Sequence, residues 1–172
     1  MNIKTFDGLP ADEAVTALRS CCESERWARA VIEDRPYGAR TTLLDAAAAH
    51  WAQADEAELL TAFAAHPRIG DIELLRARYA TGSATANAEQ GQVLAADDAV
   101  LERLRDQNDA YFERFGFIFI VCATGKSASE MLALLDARIG NDRATELANA
   151  AREQGAIMIL RMEKLISEGA DA

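Results

Sequence analysis

"FGFIFIVCA", residues 115–123, is the stretch on which the fold turns. It is a continuous apolar run rich in aromatic and β-branched side chains, bracketed by Gly116 and Gly125, and that composition suits a buried strand. A strand needs a partner, and no other segment alternates apolar with polar residues. The run is therefore read either as a buried helical turn or as one short extended segment, about 117–123, with no sheet around it. If it is extended, its buried amides and carbonyls must pair with something. Side-chain caps, water or a bound ligand are the candidates.

Outward from that run, apolar residues recur at helical spacing and prolines are confined to positions 10, 36 and 67. The periodicity predicts helices at roughly 10–22, 24–34, 40–54, 55–65, 71–80, 84–95, 97–114, 127–139 and 142–167. Asp55 with Glu58, and Ser127 with Glu130, have the spacing in which a cap side chain and a returning carboxylate satisfy exposed amides. Asp71 is a further cap, Gly140 is placed as a terminator, and alanine-rich stretches such as DAAAAHWAQA favour helix on propensity. The expected fold is all-α: a single-domain bundle of about eight or nine helices covering 1–172, with one short extended apolar segment.

Half the residues are apolar and 27% are charged, as in an ordinary globular protein. A net charge of −10, without a basic stripe, argues against a nucleic-acid partner. Nothing approaches membrane-spanning length, and the first twenty residues have no long apolar core or cleavage pattern. Cys21, Cys22 and Cys122 are odd in number, and adjacent Cys21 and Cys22 do not easily bridge each other. A reducing compartment, the cytoplasm, is the expected location.

Polar residues at core positions are the candidates for chemistry. His66 sits at a helix end directly before Pro67, which disfavours α geometry at the histidine and so fixes the backbone carrying the imidazole. Glu89 and Gln90 fall on the expected inward stripe of helix 84–95. Arg161 is the one charge in the run 156–162, flanked at helical spacing by Ile157 and Leu165. A charge facing a core is costly unless paired. A structural Glu–Arg pair, helices rotated to bring both to water, and a functional site all remain open, as does an exposed loop histidine at His66. His50, inside the alanine-rich helix, is read as structural. The two histidines lack ligand spacing, so no metal is expected, and no phosphate-binding or dinucleotide fingerprint occurs.

Taken together, HPRIGD at 66–71, EQ at 89–90, YFERFGFIFIVCATGKSASEML at 111–132 and AIMILRMEKL at 156–165 resemble the family of 2-oxo-4-hydroxy-4-carboxy-5-ureidoimidazoline (OHCU) decarboxylases. CCESERWARAVIEDRPY at 21–37 is similar to that family's N-terminal segment. The resemblance implies an all-α, cofactor-free, homodimeric enzyme of purine (urate) catabolism that converts a small ureidoimidazoline to (S)-allantoin. It further implies that His66, Glu89 and Arg161 form the catalytic set, with His66 as acid/base and Pro67 beside the ligand. Gln90 and the neighbouring Ala86, Asn87 and Ala88 would contact the substrate, and Phe119, Ile120, Val121, Cys122 and Ala123 would offer it main-chain groups. One departure is Ala86, where the family often has a serine. Two rival functions fit the residues alone: a non-catalytic helical binding module with HPRIG as its recognition loop, and a ureide hydrolase using Cys122 as nucleophile.

Overall fold

The structure, a computed structural model, describes residues 1–66 and 90–167, with side chains described from 98 onward in the second stretch. Among the described residues there are eight helices and no strand: α1 (Ile3–Asp7), α2 (Ala11–Arg19), α3 (Glu25–Glu33), α4 (Arg40–Trp51), α5 (Glu56–Ala64), α6 (Gln90–Phe115), α7 (Ala128–Arg138) and α8 (Arg143–Leu165). The chain is all-α, as its periodicity requires. The expected helix at 71–80, the cap at Asp71 and the first part of helix 84–95 lie outside the described residues.

Two differences from the sequence reading have local causes. Helix α1 was not expected: it is short, and the Asn2 side chain caps it by accepting from the Thr5 amide at 2.8 Å. The break expected between 95 and 97 is absent, since α6 runs unbroken from Gln90 to Phe115. Asp97 and Asp98 resemble a cap, but without proline or glycine beside them the cost of aspartate inside a helix is a few tenths of a kcal/mol, roughly. Tertiary packing overrides a cost of that size.

The fold divides into two compact units, Met1–Ala65 with Ala151–Ala172, and His66–Ala150. In the first unit α3 packs on α2 and α4. Its core gathers Phe6, Leu18, Trp27, Leu43, Phe63, Met158 and Met162, all within 2% of full burial. Both tryptophans bury their rings and satisfy the indole N–H on a backbone carbonyl, Trp27 on Ala47 at 3.0 Å and Trp51 on Ala151 at 2.9 Å. Gly155 lets α8 approach α4 closely, because a Cβ there would stand 3.1 Å from Trp51 Cδ1. Asp55 caps α5 on the Glu58 amide as expected, but the Glu58 carboxylate accepts from Ser24 Oγ rather than returning to the cap. His50 is structural, 2.7 Å from Asp34 Oδ2.

The second unit is built on α6 against α7. Ser127 and Glu130 form the full reciprocal capping box at the start of α7. Helix α6 ends at Phe115: the Gly116 amide closes the last turn on the Phe112 carbonyl at 2.8 Å, and the glycine's φ of +78° then turns the chain out of the helix. The chain then passes directly into the apolar run that raised the strand question.

Candidate active site

Residues 118–123 are neither helix nor strand, yet Phe119 and Ile120 are only 5% and 2% exposed. The accounting problem posed by the sequence has a side-chain answer. Arg138, at the end of α7, donates from Nη1 to the Ile120 carbonyl at 3.0 Å. Lys126 Nζ donates to the Cys122 carbonyl at 2.7 Å. Among the described residues no backbone carbonyl accepts from the amides of Phe119, Ile120 or Val121.

Arg138 is itself held from behind. Its Nε donates to the Glu146 carboxylate at 3.0 and 3.2 Å, while Nη2 lies 2.8 Å from Oε2 as a charge contact. The guanidinium covers the Phe119 ring at 4.7 Å from its centroid. Glu146 is fully buried and also accepts from the Tyr111 hydroxyl and from the side-chain amides of Asn141 and Asn149, the latter two at 2.8 Å. Burial pushes the Glu146 carboxyl upward, but the bonds from Arg138, Tyr111, Asn149 and Asn141 outweigh it and hold the group at about 2. Burial and the bond to Glu146 raise the Tyr111 hydroxyl, so it stays a donor. Tyr111 packs edge-on against Phe119 and Phe117, with centroids 5.2 and 5.9 Å away, and against Phe115 at 4.5 Å. A buried carboxylate, a guanidinium and an aromatic cluster thus grip one side of the coil run.

Of the residues singled out in the sequence, five lie in this run: Phe119 and Ile120 buried, Val121, Cys122 and Ala123 half-buried. His66 is half-buried just beyond α5, whose C-cap is Ala65. Pro67, Ala86, Asn87, Ala88 and Glu89 lie outside the described residues, and Gln90 enters as the first residue of α6 without a described side chain. For Arg161, a charge at a core position of the last helix, the sequence leaves open a rotation that brings it to water; it is exposed, with Nη1 donating to the Cys21 carbonyl at 3.1 Å. The buried stripe of α8 is Glu146, Ala150, Gln154, Met158 and Met162, spaced by four, and Arg161 stands beside it. The run 156–162 is apolar nearly all round, so periodicity alone could not choose its inner face.

Cys21 and Cys22 are buried free thiols, both raised by burial and Cys22 to about 12, which makes them inert core groups. An open cleft of about 510 Å³ in the first unit is lined mainly by apolar groups of α4 and α8, including Trp51, Met158 and Leu160, with Glu163 at its edge. Among the described residues, none of the expected site residues lines it.

Against known proteins, the family model described as OHCU decarboxylase matches residues 7–163. The chain belongs to the OHCU decarboxylase family. The uric acid degradation bifunctional protein TTL of Arabidopsis thaliana is 35% identical over 153 residues, covering 87% of this chain and 46% of the relative. The 2-oxo-4-hydroxy-4-carboxy-5-ureidoimidazoline decarboxylase of Amia calva is 35% identical over 103 residues, covering 59% of this chain and 57% of the relative. The chain thus spans about half the length of these two curated relatives. Among solved structures, a crystal structure of OHCU decarboxylase in the presence of (S)-allantoin superposes with a TM-score of 0.69 at 33% identity, covering 87% of this chain and 96% of that one. This OHCU decarboxylase family member also contains a feature that sequence reasoning missed, the Arg138–Glu146–Tyr111 group. Its signal was the four-residue spacing that places Glu146 on the same stripe as Gln154 and Met158.

Proposed function

We propose that this protein is a cofactor-independent carboxy-lyase converting OHCU to (S)-allantoin in urate catabolism. The match of the family model over residues 7–163 carries the proposal. The likeness to a solved OHCU decarboxylase crystallised with (S)-allantoin supports it at 33% identity.

The substrate's chemistry explains why side chains suffice. Its carboxylate sits on a hydroxyl-bearing carbon beside a ring C=N. When the C–C bond to CO₂ breaks, its electron pair forms a C=C bond and the C=N pair moves to nitrogen, which takes a proton. The enol that results loses its hydroxyl proton as the adjacent carbon is protonated, giving the allantoin carbonyl. The substrate therefore carries its own electron sink. What the protein must add is proton placement and a choice of face.

In this reading His66 relays the proton, and a positioned acid–base group contributes about 10²–10⁴-fold. Glu89 orients the imidazole or the substrate hydroxyl. Arg161 binds: a cation on the leaving carboxylate favours the ground state at least as much as the transition state, so it improves affinity more than turnover. Pro67, residues 86–88 and Gln90 border the ligand, and residues 119–123 present main-chain groups to its ureido and ring amide edges. The functional unit is one domain over 1–172, acting as a cytoplasmic homodimer. Generating the substrate in situ from urate and following optical rotation tests the activity. Faster appearance of dextrorotatory allantoin with the protein supports it, whereas a time course indifferent to added protein removes it.

A further inference from the structure

We propose that Arg138 is a positioning residue for substrate binding, fixing the backbone of residues 119–121 for contact with the ureido compound. This inference rests on the proposed function for what the ligand is, and on the geometry for what Arg138 does. A coil segment has no ladder to set where its peptide groups point, so something else must. Arg138 supplies three constraints at once. Nη1 holds the Ile120 carbonyl at 3.0 Å, the guanidinium plane covers the Phe119 ring at 4.7 Å, and the Glu146 carboxylate anchors the cation. Glu146 is in turn fixed by Tyr111, whose ring packs edge-on against Phe119. The Ile120 carbonyl is thereby occupied from one side, which sets the rotation of the 120–121 peptide and the direction of its amide. Among the described residues no backbone carbonyl takes the amides of Phe119, Ile120 or Val121. Those amides are donors of the kind a ureido carbonyl or a ring carbonyl accepts.

A guanidinium is required rather than a cation alone. A planar fork can satisfy the carboxylate through Nε and the carbonyl through Nη1 together, while an ammonium is a point charge that cannot hold both in the same geometry. Arg138→Lys therefore keeps the charge facing Glu146 and releases the Ile120 carbonyl. The comparison is Asp142→Ala, which removes the side chain that accepts from the Thr145 amide at 2.9 Å and weakens the same unit without touching the run.

Two measurements on the full chain decide the matter. In steady-state decarboxylation, Arg138→Lys is expected to raise KM roughly tenfold, the loss of one charge-assisted hydrogen bond, with kcat within about threefold of the parent. Asp142→Ala leaves KM unchanged. In amide hydrogen exchange, Arg138→Lys accelerates exchange at residues 119–121 beyond any change seen in Asp142→Ala. Exchange at 119–121 no faster than in the control overturns the inference, and so does an equal rise of KM in both variants. A parent protein without decarboxylase activity sinks the proposed function instead. The exchange comparison then still decides whether Arg138 holds the segment.

Discussion

At the residue scale, Glu146 shows how a charge can be worth burying. A lone carboxylate in a core is costly, and four donors turn it into an organising point for Tyr111, Arg138, Asn141 and Asn149. The pH dependence follows with a definite sign. The folded carboxyl lies at about 2 against an ordinary 4.5, so the unfolded chain binds more protons between those values. The stabilisation is complete above about pH 4.5 and disappears as pH falls toward about 2. Thermal unfolding followed from pH 6 down to pH 2.5 should show this loss, and Glu146→Gln should flatten that part of the profile. A variant that kept the parent's acid sensitivity would mean that other carboxylates control it. The proposed roles of Glu89 and Arg161 separate kinetically. Glu89→Ala is expected to lower kcat by about 10²-fold or more with folding intact. Arg161→Ala is expected chiefly to raise KM. Steady-state kinetics with circular dichroism of each variant checks both.

At the element scale, helices were legible because their signals are local. Ser127 and Glu130 mark the start of α7, and their reciprocal bonds are present. The coil run was legible as an exception to helix, since Gly116 and the β-branched residues disfavour one, but what satisfies its backbone was not. Arg138 reaches Ile120 from 18 residues away, and no window of sequence carries that pairing. Glu146 misleads for a related reason. An acid in the first turn of a helix is what the helix dipole favours on a surface, so its place on the buried stripe is easy to discount. Arg161 is the converse, a charge among apolar neighbours that nevertheless faces out. Gly155 provides the prediction for this scale. Gly155→Ala gains helix propensity of about 1 kcal/mol. It also drives a methyl to 3.1 Å from Trp51 Cδ1 and 3.3 Å from Nε1, and that ring is held by its bond to the Ala151 carbonyl. Overpacking of this kind typically costs about 1–3 kcal/mol, so the net effect is a destabilised protein. Urea denaturation measures it, and a midpoint above the parent's would show that Trp51 gives way.

At the scale of the whole molecule, family membership supplies what geometry does not. Composition and charge leave a helical protein without a basic stripe, compatible with many functions. The ordered set of motifs narrows that to one family, and the family model bears it out across residues 7–163. The chemistry proposed for the chain then asks little of it beyond binding, proton placement and face selection, which suits a fold in which His66 stands just beyond α5 and residues 118–123 form a coil run. The most direct measurement of that account is the rate of dextrorotatory allantoin formation from urate-derived substrate, with the parent protein and with His66→Ala side by side. The account predicts marked acceleration by the parent and a loss of about 10²–10⁴-fold in the variant, with its helical circular dichroism unchanged. Equal rates for the two proteins would contradict it.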